Sequence, residues 1–462
     1  MGSVLIRLIL AIVALTTLPL LVLHYSHPFK SIFLQTHQPK RRDLVLWSSD
    51  FHIGPIADIR HILQAMPTPV KVIDQSLSSH CHLTNTCQTD LRILNQENGI
   101  TLGWCPNRLR RQFYRYYRSN ELFLSVDAVL CTYAFASCVD LFLPFRKTII
   151  VIFTTRFETG RHDFDSWSRW IETLRRVASN PNNVIAANNM YDLEYVKYFT
   201  GIKDVMLLPS YCGYTNAKYH PTRNEILIGP GRGLHQVLVN DLIAAGNRSN
   251  IIFSPIRDLY PKYEYSDLAS HPAMVLFPYQ VSIMTIFELY RMEIPLFVPS
   301  PELLVDWHKQ FNILSERTWP GVFNRPVEYS VVPKHPNCSS AIEDHDPNDD
   351  FNRDAILSWI RLSDFYQWPN VSTFNDWDDL IAQIQRSELE SISSAMEAFN
   401  KIEIASIKNK WDGILRLIEN HREVVNRARY DLPKSLNEAL RITYGMQLRR
   451  SDCHEVEFRN IP

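Results

Sequence analysis

The sequence predicts an α/β fold of two halves, each a parallel sheet wrapped by helices, facing each other across a cleft. Three observations predict it. Short apolar runs alternate with helix-period segments from Asp43 to Ser210. The segment Tyr211 to Arg223 (YCGYTNAKYHPTR) has no period and contains Gly and Pro, which marks a linker. The alternation then restarts at Glu225. Strands alternating with helices argue a parallel sheet covered on both faces.

The elements follow in order. Asp43 to Ser49 reads as a first strand, Ile56 to Met66 as a helix, and Lys71 to Gln75 as a second strand. Ser76 to Asn98 is loop-rich, and Cys81 and Cys87 bracket a turn-like HLTNT that suits a loop disulfide. Arg108 to Phe123 is basic and aromatic, with a helical period. Strands at Val126–Thr132, Lys147–Thr155, Asn183–Asn188 and Val205–Ser210 alternate with helices at Ala134–Leu143, Phe164–Ser179 and Met190–Phe199. In the second half, strands at Glu225–Ile228, Ile251–Pro255, Ala273–Phe277 and Pro295–Pro299 alternate with helices at Leu234–Ala245 and Ser282–Glu293. After Ser300 the pattern weakens. Pro333 to Asp354 reads as an acidic surface loop. The tail from Asp376 to Tyr444 is dominated by helical periodicity, with Leu380, Ile381 and Ile384 in one element and Ile402, Ile404, Ile407 and Trp411 in another.

The N-terminus sets the expected compartment. Val4 to Leu23 is apolar apart from Arg7 and two threonines, and a bilayer needs about 20 such residues. The following HYSHPF offers no small-x-small cleavage site, so the stretch reads as a retained single-pass anchor. The expected layout is a cytosolic tail at 1–3, an anchor at 4–23, a stem at 24–42, a first domain at 43–215, a second at 216–430, and a tail at 431–462. The flanking charges leave the orientation undecided. The eight cysteines and the Asn-x-Ser sequons at Asn247, Asn337 and Asn370 favour a lumenal body, in the Golgi or endoplasmic reticulum.

Composition narrows the chemistry. The chain has 462 residues, 45% apolar and 21% charged, with a formal net charge of −1. That composition suits a sizeable core and gives no basic face for nucleic acid. Sixteen histidines occur without an HExxH or paired CxxC pattern, so a dedicated zinc site is not expected, and no cofactor is assigned.

The most informative stretch is Pro272 to Ser300. A buried strand ends at Pro278-Tyr279-Gln280, and an otherwise apolar helix follows. At about 100° per residue, Ser282, Thr285 and Glu288 fall within one arc of roughly 120°. Ser282 is a natural N-cap, and the helix N-terminus at a strand's carboxyl end favours a phosphate. This arrangement resembles the donor-binding motif of GT-B glycosyltransferases, built on two Rossmann-like domains. The resemblance implies that Ser282 and Thr285 face the diphosphate of a nucleotide sugar and Glu288 its ribose, with Tyr279 and Gln280 alongside. It also implies terminal helices that cross back to the first domain. Gly231, Arg232 and Gly233, in the GPGRG after a strand, either bring backbone N–H groups and a guanidinium to a phosphate or simply turn the chain. Arg257 is a second phosphate cation or a surface residue.

In the first half, Asp50-Phe51-His52 ends the first strand. His52 is a candidate general base with Asp50 to orient it, or else a partly buried loop histidine beside an Asp50 that caps a helix or turn. Glu158, flanked by Arg156 and Arg161, is the rival base or part of a salt-bridged loop. The expected activity is transfer of a sugar from a nucleotide-sugar donor to a hydroxyl of a glycan, glycoprotein or glycolipid, without a metal. The alternatives are a metal-dependent GT-A enzyme using the DxD pair Asp163 and Asp165, and a non-catalytic, membrane-tethered carbohydrate-binding ectodomain. Asp344/Asp346 and Asp376/Asp378 match DxD as well, so the pattern discriminates poorly.

Overall fold

The computed structural model describes residues 42–99, 107–133, 135–155, 164–230, 234–322, 324–428 and 431–446. The anchor and most of the stem lie outside the described residues. Among those described, no helix is long and apolar enough to cross a membrane.

The first half is built on strands β1 (Leu44–Ser48), β2 (Val70–Asp74), β3 (Ala128–Cys131), β4 (Thr148–Phe153), β5 (Val184–Ala187) and β6 (Met206–Leu207). They form one sheet in the order β2-β1-β3-β4-β5-β6, every pair parallel. Period-2 alternation explains how the same strands feed two cores. Trp47, Val129, Ile149 and Val151 point to one face, while Leu46, Leu130, Ile150 and Ile152 point to the other. All six residues of β4 are buried. Full burial of its large apolar side chains contributes roughly 1.5–3 kcal/mol each. The sequence expectation for β6 was longer than the observed strand, because pairing stops before Pro209, which has no N–H to give.

The longer helices of this half are α1 (Ile53–Gln64), α2 (Asn107–Tyr117), α3 (Phe135–Phe142), α4 (Phe164–Ala178) and α5 (Met190–Thr200). The basic, aromatic helix is shorter than expected. It ends at Tyr117, and Asn120 caps a separate turn at Glu121–Leu124 by accepting from Phe123 N–H at 2.9 Å.

The second half has strands β7 (Ile226–Gly229), β8 (Phe253–Pro255), β9 (Met274–Leu276), β10 (Leu296–Pro299) and β11 (Val371–Phe374). Their order is β11-β10-β9-β7-β8, again all parallel. The longer helices here are α6 (Gln236–Arg248), α7 (Met284–Arg291), α8 (Pro301–Phe311), α9 (Arg353–Ile360) and α10 (Trp377–Arg386). Both sheets therefore branch in the same way: the second strand lies on one side of the first and the third on the other. Each has a switch point, between β1 and β3 and between β7 and β9, where helices diverge and open a crevice at the carboxyl ends.

The halves share one core face. Tyr191, Tyr195 and Tyr198 of α5 surround Trp359 of α9 at centroid distances of 5.2, 6.2 and 5.8 Å. The long helix α11 (Leu389–Ala428) runs from one half to the other. Met396 packs with the second sheet, while Ile407, Trp411, Ile414, Leu415 and Ile418 pack beneath the first. Arg422 then ties it to the start of β1, donating to the Asp43 carbonyl at 2.6 Å and pairing with Asp127 at 3.3 Å. Helix α12 (Leu436–Tyr444) also packs on the first half, where Tyr114 donates to the Pro433 carbonyl at 2.7 Å. The end of α11, inside the range 216–430, thus packs in the first half's core. Ile402 of α11 is 69% exposed, because the buried stripe passes through Ile407 and Trp411 on the opposite side.

Candidate functional site between the two sheets

At the first switch point, Asp50 is the keystone of the turn that leaves β1. Its carboxylate accepts from Ser48 Oγ at 2.9 Å and from His52 N–H at 2.9 Å. Its carbonyl accepts from Leu77 N–H at 2.8 Å and Ser76 Oγ at 3.2 Å. Burial raises its pKa to about 7. Asp50 therefore binds the backbone of His52, the turn-capping role that stood as the alternative to orienting the imidazole. His52 is exposed, yet surrounding protein desolvates the ring and lowers its pKa. Tyr133, just after β3, sits beside it at a ring distance of 6.3 Å. The rival base Glu158, with Arg156 and Arg161, lies outside the described residues.

At the second switch point, Gly229 ends β7 and its carbonyl accepts from Phe277 N–H at 2.8 Å, just past β9. Gly231, Arg232 and Gly233 lie outside the described residues. Tyr279 and Gln280 are half-buried in the loop after β9. The N-cap of α7 is Ile283, with no side-chain cap bond. Ser282 is corrected as a cap: its hydroxyl is buried and donates to Asp364. Asp364 is itself buried, which raises its pKa to about 8. Thr285 is half-buried in the first turn of α7. Glu288, a turn further on, accepts at Oε1 from Tyr214 at 2.7 Å and from Tyr265 at 2.8 Å. Burial raises its pKa against those two bonds. Arg257 is exposed, donates to the Pro261 carbonyl at 3.0 Å and lies over the Tyr263 ring at 5.2 Å, so its bonds are local.

The two switch points come together at the helix starts. Helices α1 and α7 each start at the carboxyl end of a switch-point strand, and their amino ends meet. A methyl group at Gly54 would come 3.3 Å from Met284 Cγ, and Ser210 Oγ lies 3.7 Å from Met284 Sδ. Gly54 thus permits a close approach that a larger residue would open.

Sequence reasoning missed the residues that fix this meeting. Asp58 of α1, buried, accepts from the linker N–H groups of Tyr211 and Cys212 at 2.8 and 2.5 Å. Arg291 of α7 donates to the carbonyls of Tyr211 and Ser210 at 2.8 and 3.4 Å and to Asn400 of α11 at 2.7 Å. Burial raises the Asp58 pKa to about 6 and lowers that of Arg291. Asp364, Asn189 and Asp192 were missed as well. Asn189 caps α5 by accepting from Asp192 N–H at 2.7 Å, and the Asp192 charge raises the pKa of Asp364 across the gap. The signal for Asp58 was an acid inside the apolar stripe of α1; Asp364 gave none.

Among the described residues, no group of three or more His, Cys, Asp or Glu side chains could hold a metal ion. Asp163 lies outside them, and Asp165 is exposed in the first turn of α4. Asp376 caps α10 and Asp346 holds Ser330, which accounts for two other DxD matches structurally.

The structure joins Cys81 to Cys87 and also Cys131 to Cys138; Cys212 and Cys338 are free thiols. Asn247, Asn337 and Asn370 are all exposed.

No protein-family model matches the chain. No curated protein matches it either. Among solved structures it is similar to the glycosyltransferase SnogD from Streptomyces nogalater, at 11% identity and a TM-score of 0.33, covering 56% of this chain and 81% of that one. It is similar to the glycotransferase of kitacinnamycin at 10% identity and a TM-score of 0.34, covering 85% and 100%. It is also similar to the Streptomyces sp. SF2575 glycosyltransferase SsfS6 complexed with thymidine diphosphate, at 12% identity and a TM-score of 0.29, covering 75% and 100%. At TM-scores of this size the likeness carries no weight, and the reading below rests on this chain's own topology and residues.

Proposed function

We propose that the chain transfers a sugar from a nucleotide-sugar donor to a hydroxyl acceptor in the crevice between its two sheets. One observation carries the reading: two parallel sheets of the same branching order turn their switch points toward each other, and the helix N-termini at those points meet at Gly54 and Met284. Ligands of open α/β sheets bind at such points, and paired helix N-termini favour a diphosphate.

The roles divide between the halves. The amino end of α7, with Thr285, Tyr279 and Gln280, receives the diphosphate together with Gly231, Arg232 and Gly233. Glu288 keeps Oε2 for ribose hydroxyls, since Oε1 is committed to Tyr214 and Tyr265. The acceptor oxygen bonds to the anomeric carbon, and the carbon–oxygen bond to the diphosphate breaks, with its electron pair leaving on the diphosphate. The acceptor proton passes to His52, whose lowered pKa keeps the imidazole neutral and ready to accept it. Backbone dipoles and Arg232 offset the leaving charge without a metal.

The site of action follows from chemistry outside the crevice. Two loop disulfides and three exposed sequons support a body folded in the secretory pathway, tethered through residues 4–23 as a single-pass type II membrane protein with its catalytic part in the lumen.

The test is a screen of uridine, guanosine and thymidine diphosphate sugars for binding and slow hydrolysis by the full chain, with and without EDTA. Binding of one of them, unchanged by EDTA, is the expected result. Binding without turnover of any sugar nucleotide would make the chain a binding module, and no binding at all would remove the donor site.

A further inference from the structure

The arginines of α2 are left unused by the proposed reaction. At about 100° per residue, Arg108, Arg111, Arg115 and Arg118 share one arc of roughly 80°. The first three are exposed and Arg118 is half-buried. Arg110, Phe113, Tyr114 and Tyr117 fill a separate, buried arc. The stretch from Asn107 to Arg118 contains no acid. Arg110, which points inward, pairs with Asp140 at 3.7 Å. Among the described residues, none of the four outward arginines has an ion pair or a side-chain hydrogen bond. Arg146, half-buried in the turn before β4, stands near the Arg118 end of the row. Both have a buried Nε without a partner. Burial raises the Tyr114 pKa to about 12, and the charges of Arg118 and Arg146 both act against that rise. Glu438 of α12 reaches the same hydroxyl without an ion pair to either arginine.

The row climbs toward the first switch point. Tyr114 meets Phe145, just ahead of β4, at a ring distance of 5.2 Å, whereas Arg110, one turn earlier, meets Asp140 of α3. Helix α3 starts beyond the carboxyl end of β3. The row therefore runs from the amino edge of the first sheet toward its carboxyl edge, over about 15 Å from Arg118 to Arg108. Resting on the glycosyl-transfer reading, we infer that α2 is the track of an acidic glycan acceptor, whose carboxylate or sulfate groups these arginines grip in turn. A single anion cannot neutralise charges spread over that length, but anions repeated along an extended chain can. Guanidinium suits the task, since its planar fork donates two parallel hydrogen bonds to a carboxylate or sulfate. The net charge of −1 over the whole chain keeps the attraction local to the row.

The test compares acidic oligosaccharides (sulfated heparin and unsulfated hyaluronan fragments) with neutral maltohexaose, as ligands of the full chain at low salt and as acceptors from the sugar nucleotide that binds. At least one acidic fragment is expected to bind and accept sugar, and maltohexaose to do neither. The double variant Arg111→Gln, Arg118→Gln weakens acidic-glycan binding about tenfold and raises KM for the acceptor, while nucleotide affinity and kcat stay unchanged. The double variant Arg353→Gln, Arg361→Gln removes equal charge from the ends of α9 and leaves glycan binding unchanged. Equal binding of neutral and acidic fragments, or an equal loss in both double variants, overturns the inference. So does a preference for phosphatidylserine over neutral vesicles that Arg111 and Arg118 carry while no glycan binds. Acidic-glycan binding by a chain that binds no sugar nucleotide would sink the transferase reading and the acceptor role together, whereas nucleotide binding with no preference for acidic glycans would sink the inference alone.

Discussion

Desolvation by the surrounding protein lowers the pKa of His52. A base must be neutral to act, so a depressed pKa extends its working range to more acidic pH. The acid limb of kcat/KM is therefore expected below pH 6.5, the ordinary imidazole value; a limb at or above 6.5 in a pH–rate profile would remove His52 from the role. His52→Ala should lower kcat by about 10²–10⁴-fold and leave nucleotide affinity unchanged, as read by steady-state kinetics beside a binding isotherm. His52 was legible as a candidate because it follows the first strand, and both roles open to Asp50, orienting the imidazole or capping the turn, were legible too. Two residues of separation cannot tell a carboxylate that grips an imidazole from one that caps a turn, and here the turn took it.

The linker is the element on which the two halves depend. Asp58 from α1 and Arg291 from α7 grip it from opposite sides, through N–H groups in one case and carbonyls in the other. Truncating Asp58 to Ala strands the buried N–H of Cys212 and the part-buried N–H of Tyr211, at roughly 1–3 kcal/mol each. Urea unfolding should register a loss of roughly 2–6 kcal/mol, and Asp58→Asn, which keeps an acceptor oxygen, should lose less. Trp411→Ala in α11 should cost about 3–5 kcal/mol, because its ring fills the core beneath the first sheet. If that variant unfolded only the second half, as hydrogen exchange would reveal, the placement of α11 would be contradicted.

Elements of this kind were legible in different degrees. β4 and α4 read clearly because a fully apolar run and a strong 3.6 period leave one choice. β11 was missed because it is short, half-exposed and carries Ser372 and Thr373, so it owes its strand form to pairing with β10. The same limit applies to α7, where Ser282 looks like a cap until tertiary structure brings Asp364 to its hydroxyl.

Across the whole molecule, buried carboxyls set how stability responds to pH. Burial raises the pKa of Asp50 to about 7 and of Asp364 to about 8. A carboxyl whose folded pKa is raised contributes stability that is complete below its unfolded value and is lost as pH rises through the folded one. The histidines whose folded pKa values are lowered, such as His308 at about 4, act in the opposite sense, and their effect ends above pH 6.5. Between pH 6.5 and 8 the carboxyls act without that opposition, so Tm should fall over this range. Asp364→Asn should flatten the fall; an unchanged slope would show that Asp364 does not hold its proton.

The central claim, that a nucleotide diphosphate lies where the two switch points meet, is tested most directly by photoaffinity labelling of the full chain with an azido nucleoside diphosphate followed by peptide mapping. The account predicts labelling of the peptides spanning 230–235 and 278–288, suppressed by unlabelled nucleotide. Labelling confined to peptides away from both strand ends, or none that unlabelled nucleotide suppresses, would contradict it.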